Sequence, residues 1–416
     1  MDTVDLARLQ FAFTAGAHFL FVALTLGLAT LVAVVQTRAT FSGHPVHLRM
    51  TRFWGQLYLI NYAMGIVTGL VMEFQLGLSW SGLTDYAGNV FGASLAIETL
   101  VAFFVEATFL GLWIFGWNRL NRWAHLALIW VVTLTAYASA FWIMISNGFL
   151  QNPVGHAVEG GKLRLTDFGA LIANPAAQIA FGHVMGGALI VGGFFMAGVS
   201  AYHLRRRTAE HDLFRKSLRI GVGVALPASF VTVTFGGLGF QTLQPSKLAA
   251  WTGQAERLAA VQADMTARFG PGDYLPPTGW VQGAGITMMI LWLVMTVVAG
   301  LSLLLMFFRP VVRGFRAWHW LLTLMIPVPF VTMLAGWIFR EVGRQPWVVY
   351  GLLRTSEAMS PVTAGEMRLS LTAFVSVFAV LIAVNYWLLA RAARRGPGAV
   401  ALGALPAETP VPVPAF

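Results

Sequence analysis

The stretch FGASLAIETLVAFFVEATFLGL (91–112) decides the fold class, because it is long and apolar enough to cross a bilayer yet carries two glutamates, Glu98 and Glu106. A membrane helix needs about 20 apolar residues, and an ionisable group at that depth costs about 3 kcal/mol or more, so it marks chemistry or ion transfer. Two further spans carry histidines, His18 and His183. The whole chain shares this character: 57% of its 416 residues are apolar and 11% are charged, against about 25% charged in soluble proteins.

Nine apolar spans follow, near 10–36, 53–77, 92–117, 125–148, 178–204, 220–240, 281–308, 318–340 and 369–390. The prediction is an all-α polytopic membrane protein. MDTVDLARLQ lacks a basic n-region and the run behind it exceeds a signal-peptide core, so the first span is expected to be retained. The connections alternate sides, and one set (37–52, 118–124, 205–219, 309–317 and 391–416) holds 17 of the 27 basic residues. The positive-inside rule then places the N-terminus outside and the C-terminus in the cytoplasm. The basic cluster 205–219 and the net charge of +10 read as an inner-face anchor to the lipid bilayer rather than a nucleic-acid surface, since they lie between two spans. Four regions are expected: six helices in 1–240, an extracytoplasmic loop 241–280 with a surface helix near 254–269, three helices in 281–390, and a disordered cytoplasmic tail 391–416.

Cysteine is absent, which removes thiolate metal sites, iron–sulfur clusters and covalent c-type haem. At 1.5 Å per residue, His18 lies roughly 12 Å below the outer end of its span, and His183 and Glu98 lie at similar depth. Glu341 closes its span on the same side. Glu106 is deeper, near 21 Å, and a regular helix sets it about 80° from Glu98. A lone membrane histidine also serves simply to bond a neighbouring helix, and Glu98 and Glu106 also read as protonated packing residues. Glu73 reads as interfacial. The other seven histidines fall in loops or at span ends, too few inside for a four-histidine dihaem cytochrome. If several haems are held, methionine or carboxylate must act as axial ligand. TMM at 287–289 offers Met288 and Met289, although membrane methionines ordinarily pack.

These residues resemble subunit I of the cytochrome bd oxidases over nearly the whole chain. The resemblance is carried by RLQFAFTAGAHFLFVALTLG (8–27), TRFWGQLYLINYAMGIVTGLVMEFQLG (51–77), 91–112, FWIMISNGFLQNP (141–153), QPSKLAAW (244–251) and, most specifically, GWIFREVGRQPW (336–347). It implies a haem-containing quinol:oxygen oxidoreductase of a bacterial or archaeal cytoplasmic membrane. The implied cofactors are a low-spin haem b on His183 and Met289, with Met288 as the ligand if one gap is allowed, and a high-spin haem b and haem d (chlorin) on His18 and Glu341. Glu98 then lies beside the haems, Glu106 on a proton path, Arg344 near haem propionates and Trp337 within the cofactor site. The implied partners are a second oxidase subunit, a small single-helix subunit in some members, menaquinol or ubiquinol, and O2.

Two departures bear on the donor. The family's quinol loop pairs a lysine with a glutamate five residues on, whereas Lys247 is followed by Thr252; Glu256 substitutes if 247–257 is one helix. An arginine two residues before the axial methionine is replaced by Thr287. A related haem protein using a non-quinol donor, and a proton-coupled transporter, are the competing readings.

Overall fold

The computed structural model describes residues 2–403, without the side chains at 101, 102, 309, 311 and 313. Among the described residues, nine helices are long and apolar enough to cross a membrane: α1 (Thr3–Ser42), α2 (Pro45–Ser79), α3 (Ser81–Phe115), α4 (Arg122–Gln151), α5 (Phe168–Arg206), α6 (His211–Thr242), α7 (Thr278–Leu305), α8 (Arg316–Val342) and α9 (Ala364–Arg395). Each expected span falls on one of them; 92–117 and 281–308 overrun the ends of α3 at Phe115 and of α7 at Leu305 by two and three residues. Their ends follow local chemistry. The Asp2 carboxylate accepts from the Asp5 N–H at the start of α1, Asn121 caps α4, and Thr363 with Glu366 forms a capping box on α9. These contacts satisfy N–H groups that have no partner inside the helix.

α5 and α1 form the centre of the bundle, while α3, α7 and α9 are largely uncovered by this chain. Lipid tails are as apolar as leucine, so helices associate in a bilayer through close backbone approach at small residues. A methyl group at Gly27 of α1 would stand 2.2 Å from the Ala188 carbonyl oxygen of α5, and one at Gly193 of α5 would stand 2.7 Å from the Gly221 carbonyl oxygen of α6. Both obstacles are backbone and cannot swing away. Gly27→Val is expected to cost about 3 kcal/mol by overpacking and to lower the thermal midpoint of the detergent-solubilised protein by on the order of 5 °C. An unchanged midpoint would refute this packing argument.

One face of the bundle carries every sizeable extramembrane element. A hairpin pairs His156–Glu159 with Lys162–Leu165 across Gly160 and Gly161, both at positive φ, as a two-residue turn requires. A second pairs Trp347–Val349 with Leu353–Arg354. The 241–280 segment lies at the same end, with helices Pro245–Thr252 and Ala255–Phe269; the second matches the expected surface helix. The condition that 247–257 be one helix is not met. Gly253, at φ 67°, ends the first helix, and Gln254 is extended before the next begins. Disorder from 391 is corrected as well: α9 continues to Arg395, Leu402 is buried in the main core, and the Ala401 N–H donates to Gln56 at 2.8 Å. Residues 404–416 of the expected tail lie outside the described residues.

Candidate functional site

A cavity of about 900 Å³ opens inside the bundle toward the 241–280 face. It is lined by His18, Glu98, Glu106, His183, Met288, Met289, Trp337, Glu341, Arg344 and Lys247. Ten side chains from five of the nine helices and the segments beside α8 thus meet in one space.

The two histidines are held alike. Thr68 of α2 donates its hydroxyl proton to the backbone carbonyls of Met64 and Gly65, so its oxygen accepts from His18 Nδ1–H at 3.0 Å. Gly69 makes room for the ring, since a methyl there would stand 3.1 Å from His18 Cε1. His183 Nδ1–H donates to the Thr232 carbonyl at 2.8 Å, beside Gly236. A nitrogen that donates through Nδ1 leaves the Nε2 lone pair free, the tautomer that metal-ligating histidines adopt. Of the four buried histidines, none of which lines this cavity, His125 is engaged through both nitrogens by Gln36 and the Trp113 carbonyl, and His203 by Thr208 and the Ala393 carbonyl.

Glu341 sits in a cluster at the end of α8. Its carboxylate accepts from Asn147 Nδ2 at 2.8 Å and pairs with Arg344. Arg340 Nε donates to Asn147 Oδ1 at 2.6 Å. Lys247 Nζ donates to Gln151 Oε1 at 2.8 Å and to the Arg340 carbonyl at 2.9 Å. Lys247 is 2% exposed; burial, with Arg340 and Arg344 beside it, holds its ammonium well below the usual lysine range against the pull of Glu341. Three basic side chains thus gather beside one carboxylate, which pairs directly with Arg344, and the buried Arg344 Nε has no partner among the described residues. The cluster has room in its charge balance for further anions.

The sequence did not single out Arg340, Asn147 or Gln151. Their signal was present: Arg340 adjoins Glu341, and Asn147 and Gln151 stand one turn apart on α4, so they face the same way.

Glu98 opens a π-helical segment, Glu98–Phe103, which corrects the angle expected of a regular helix. A π turn takes up about one extra residue, so Glu98 and Glu106 come within about 20° of one face. Ser139 donates to Glu98 Oε1 at 2.5 Å, and Thr99 bridges Glu98 Oε2 and Glu73 Oε1 at 3.2 Å each. Glu106 is 6% exposed, and its Oε1 has no partner among the described residues. Of the two methionines, Met288 faces α8, where a methyl at Gly336 would stand 2.9 Å from its sulfur, and Met289 is half exposed. Trp337 packs beside Gly16 of α1. Glu256 is not brought in; it is exposed on the second loop helix.

Among the described residues no three His, Asp or Glu side chains gather as a cage for a bare metal ion. Lone imidazoles with a free Nε2 instead suit iron whose other four donors come from a macrocycle, and the surplus of cations suits its carboxylates. The residues fit haem.

A family model described as cytochrome bd terminal oxidase subunit I matches residues 6–270 and 267–397. The chain is 37% identical to cytochrome bd ubiquinol oxidase subunit 1 of Bacillus subtilis (strain 168), over 95% of this chain and 94% of that protein. It is 31% identical to cytochrome bd-II ubiquinol oxidase subunit 1 of Escherichia coli (strain K12), over 96% and 98%. The solved structure of bd oxidase from Geobacillus thermodenitrificans superposes with a TM-score of 0.85 at 27% identity, covering 95% of this chain and 99% of that one. With a family match across nearly its full length and a close superposition on a solved bd oxidase, this chain belongs to the cytochrome bd terminal oxidase subunit I family.

Proposed function

We propose that this chain is the haem-bearing subunit of a quinol oxidase that reduces oxygen to water, two quinols per O2, with protons drawn from the face opposite the 241–280 loop. The observation that carries the reading is the pair of histidines whose Nε2 lone pairs are free at one cavity, beside a carboxylate flanked by three cations. Family membership removes the transporter alternative. His183 with Met289 would hold a low-spin haem b, and His18 and Glu341 would hold the high-spin haem b and haem d, with Trp337 against them. Bound haem supplies the electron relay and the iron at which oxygen is reduced. Arg344, Arg340 and Lys247 would neutralise its propionates. Glu98, fixed by Ser139, holds a proton at Oε2 beside the reaction space, and Glu106 delivers protons to it from the deeper side. Charge asymmetry of the connections supports an outside N-terminus in a bacterial or archaeal cytoplasmic membrane. The uncovered faces of α3, α7 and α9 leave room for a second subunit and a small single-helix one. A reduced-minus-oxidised spectrum with quinol-dependent oxygen uptake tests the reading: absence of b-type and far-red chlorin bands in the purified complex would refute it.

Helix geometry argues against Glu256 as the proton acceptor at the donor site. Lys247 points into the cofactor cluster, and the break at Gly253 leaves Glu256 outside the one-turn relation to Thr252. Glu256→Gln is therefore expected to lower quinol oxidation less than about twofold, and Lys247→Met at least about fivefold, through lost charge balance in the cluster. Oxygen uptake with ubiquinol and menaquinol analogues checks both. No quinol activity in haem-loaded wild type would favour a different donor, the reading that Thr252 and Thr287 motivate.

A further inference from the structure

Three buried oxygens at the deep end of the cavity have no hydrogen-bond partners among the described residues: Tyr58 Oη, Tyr62 Oη and Glu106 Oε1. The tyrosines stand one turn apart on α2, with ring centroids 5.7 Å apart, and are 0% and 9% exposed. α2 and α3 run antiparallel and touch where a methyl at Gly55 would stand 2.7 Å from the Trp113 ring. Two turns from that contact, in opposite chain directions, lie Tyr62 and Glu106, so the two face each other. Both line the cavity.

Phenylalanine would fill the same space with no unpaired hydroxyl. A buried hydroxyl left unpaired is unfavourable, so two in a row facing an unpaired carboxyl oxygen need a use. Their position supplies one. Tyr58 lies six residues beyond Arg52, roughly 9 Å along the helix, and Tyr62 a further 6 Å. They bridge the interval between the basic face and Glu106.

We propose that Tyr58 and Tyr62 are the inner leg of the proton route to Glu106, an inference that rests on the reading of Glu106 given above. A proton from water on the Arg52 side goes to Tyr58 Oη as Tyr58 releases its own to Tyr62, directly or through one water. Tyr62 releases its proton to Glu106 Oε1 in the same manner. Each phenol ends with the proton count it began with, and no electron moves.

The test uses the purified, haem-loaded complex with Tyr58→Phe, Tyr62→Phe, the double variant and Glu106→Gln. Turnover per haem should fall about threefold in each single tyrosine variant and about tenfold in the double, with haem content and thermal midpoint unchanged. The solvent deuterium isotope effect should rise, and the infrared carboxyl band that Glu106→Gln removes should shift in Tyr62→Phe. A merely structural role would move neither signal. Wild-type turnover and isotope effect in the double variant, or a loss accounted for entirely by missing haem, overturns the relay. If Glu106→Gln is slow while the double tyrosine variant is normal, only the tyrosine leg falls. If Glu106→Gln turns over normally, the underlying assignment of Glu106 fails with it.

Discussion

His183→Ala should yield an assembled complex that lacks the low-spin haem band and consumes oxygen with quinol at less than about 1% of the wild-type rate, a barrier increase of about 2.7 kcal/mol or more. The imidazole is half-buried, fixed through Nδ1 by the Thr232 carbonyl, and leaves its Nε2 as a metal donor. Alanine removes that donor and puts no other in its place. His18 hangs from a different helix pair, α1 and α2, through Thr68, so the high-spin bands should persist. Pyridine haemochrome content, falling by one haem, checks the result. An unchanged low-spin band would show that His183 is no ligand. Met289→Leu should convert the same haem to high-spin. If Met288→Leu does so instead, the sulfur packed on Gly336 is the ligand, and the ungapped count from GRQPW is off by one residue.

The nine helices were legible because a bilayer imposes one length and one composition on every span, and each run of some 20 apolar residues satisfies it. His18, His183, Glu98 and Glu106 stood out for the complementary reason, since each breaks an apolar run at a cost that packing alone does not offset, whereas Glu341, at the end of its span, was marked by the resemblance around GRQPW. What the chain did not display was how residues from different helices finish the site. The free Nε2 of His18 depends on Thr68, fifty residues away, having already given its proton to its own helix. The π segment at Glu98–Phe103 has no sequence signature comparable to proline or glycine, so a regular helix overstated the angle between two carboxylates that do line one cavity. The break at 253 did have one. Gly253 follows Thr252 directly, and a glycine at positive φ is the common way for a helix to end, in keeping with a separate surface helix beginning near 254.

Glu106→Gln should leave haem content and spectra intact while turnover falls at least tenfold, about 1.4 kcal/mol on the barrier. The glutamine amide fills the same volume and hydrogen-bonds, but it does not take up and release a proton at neutral pH. The π segment matters here because it turns Glu106 toward the face that carries Glu98, and both side chains line one cavity. Glu98 is anchored by Ser139 and Thr99, whereas Glu106 Oε1 has no fixed partner. An anchored carboxyl suits a terminal proton holder. One free to turn suits a carrier between two stations. Glu98→Gln is therefore expected to impair the oxygen site itself, visible as altered high-spin bands, while Glu106→Gln slows proton delivery and leaves those bands alone. Oxygen uptake and optical spectra on the same preparations separate the two, and a Glu106→Gln complex with wild-type turnover would remove Glu106 from the obligatory path.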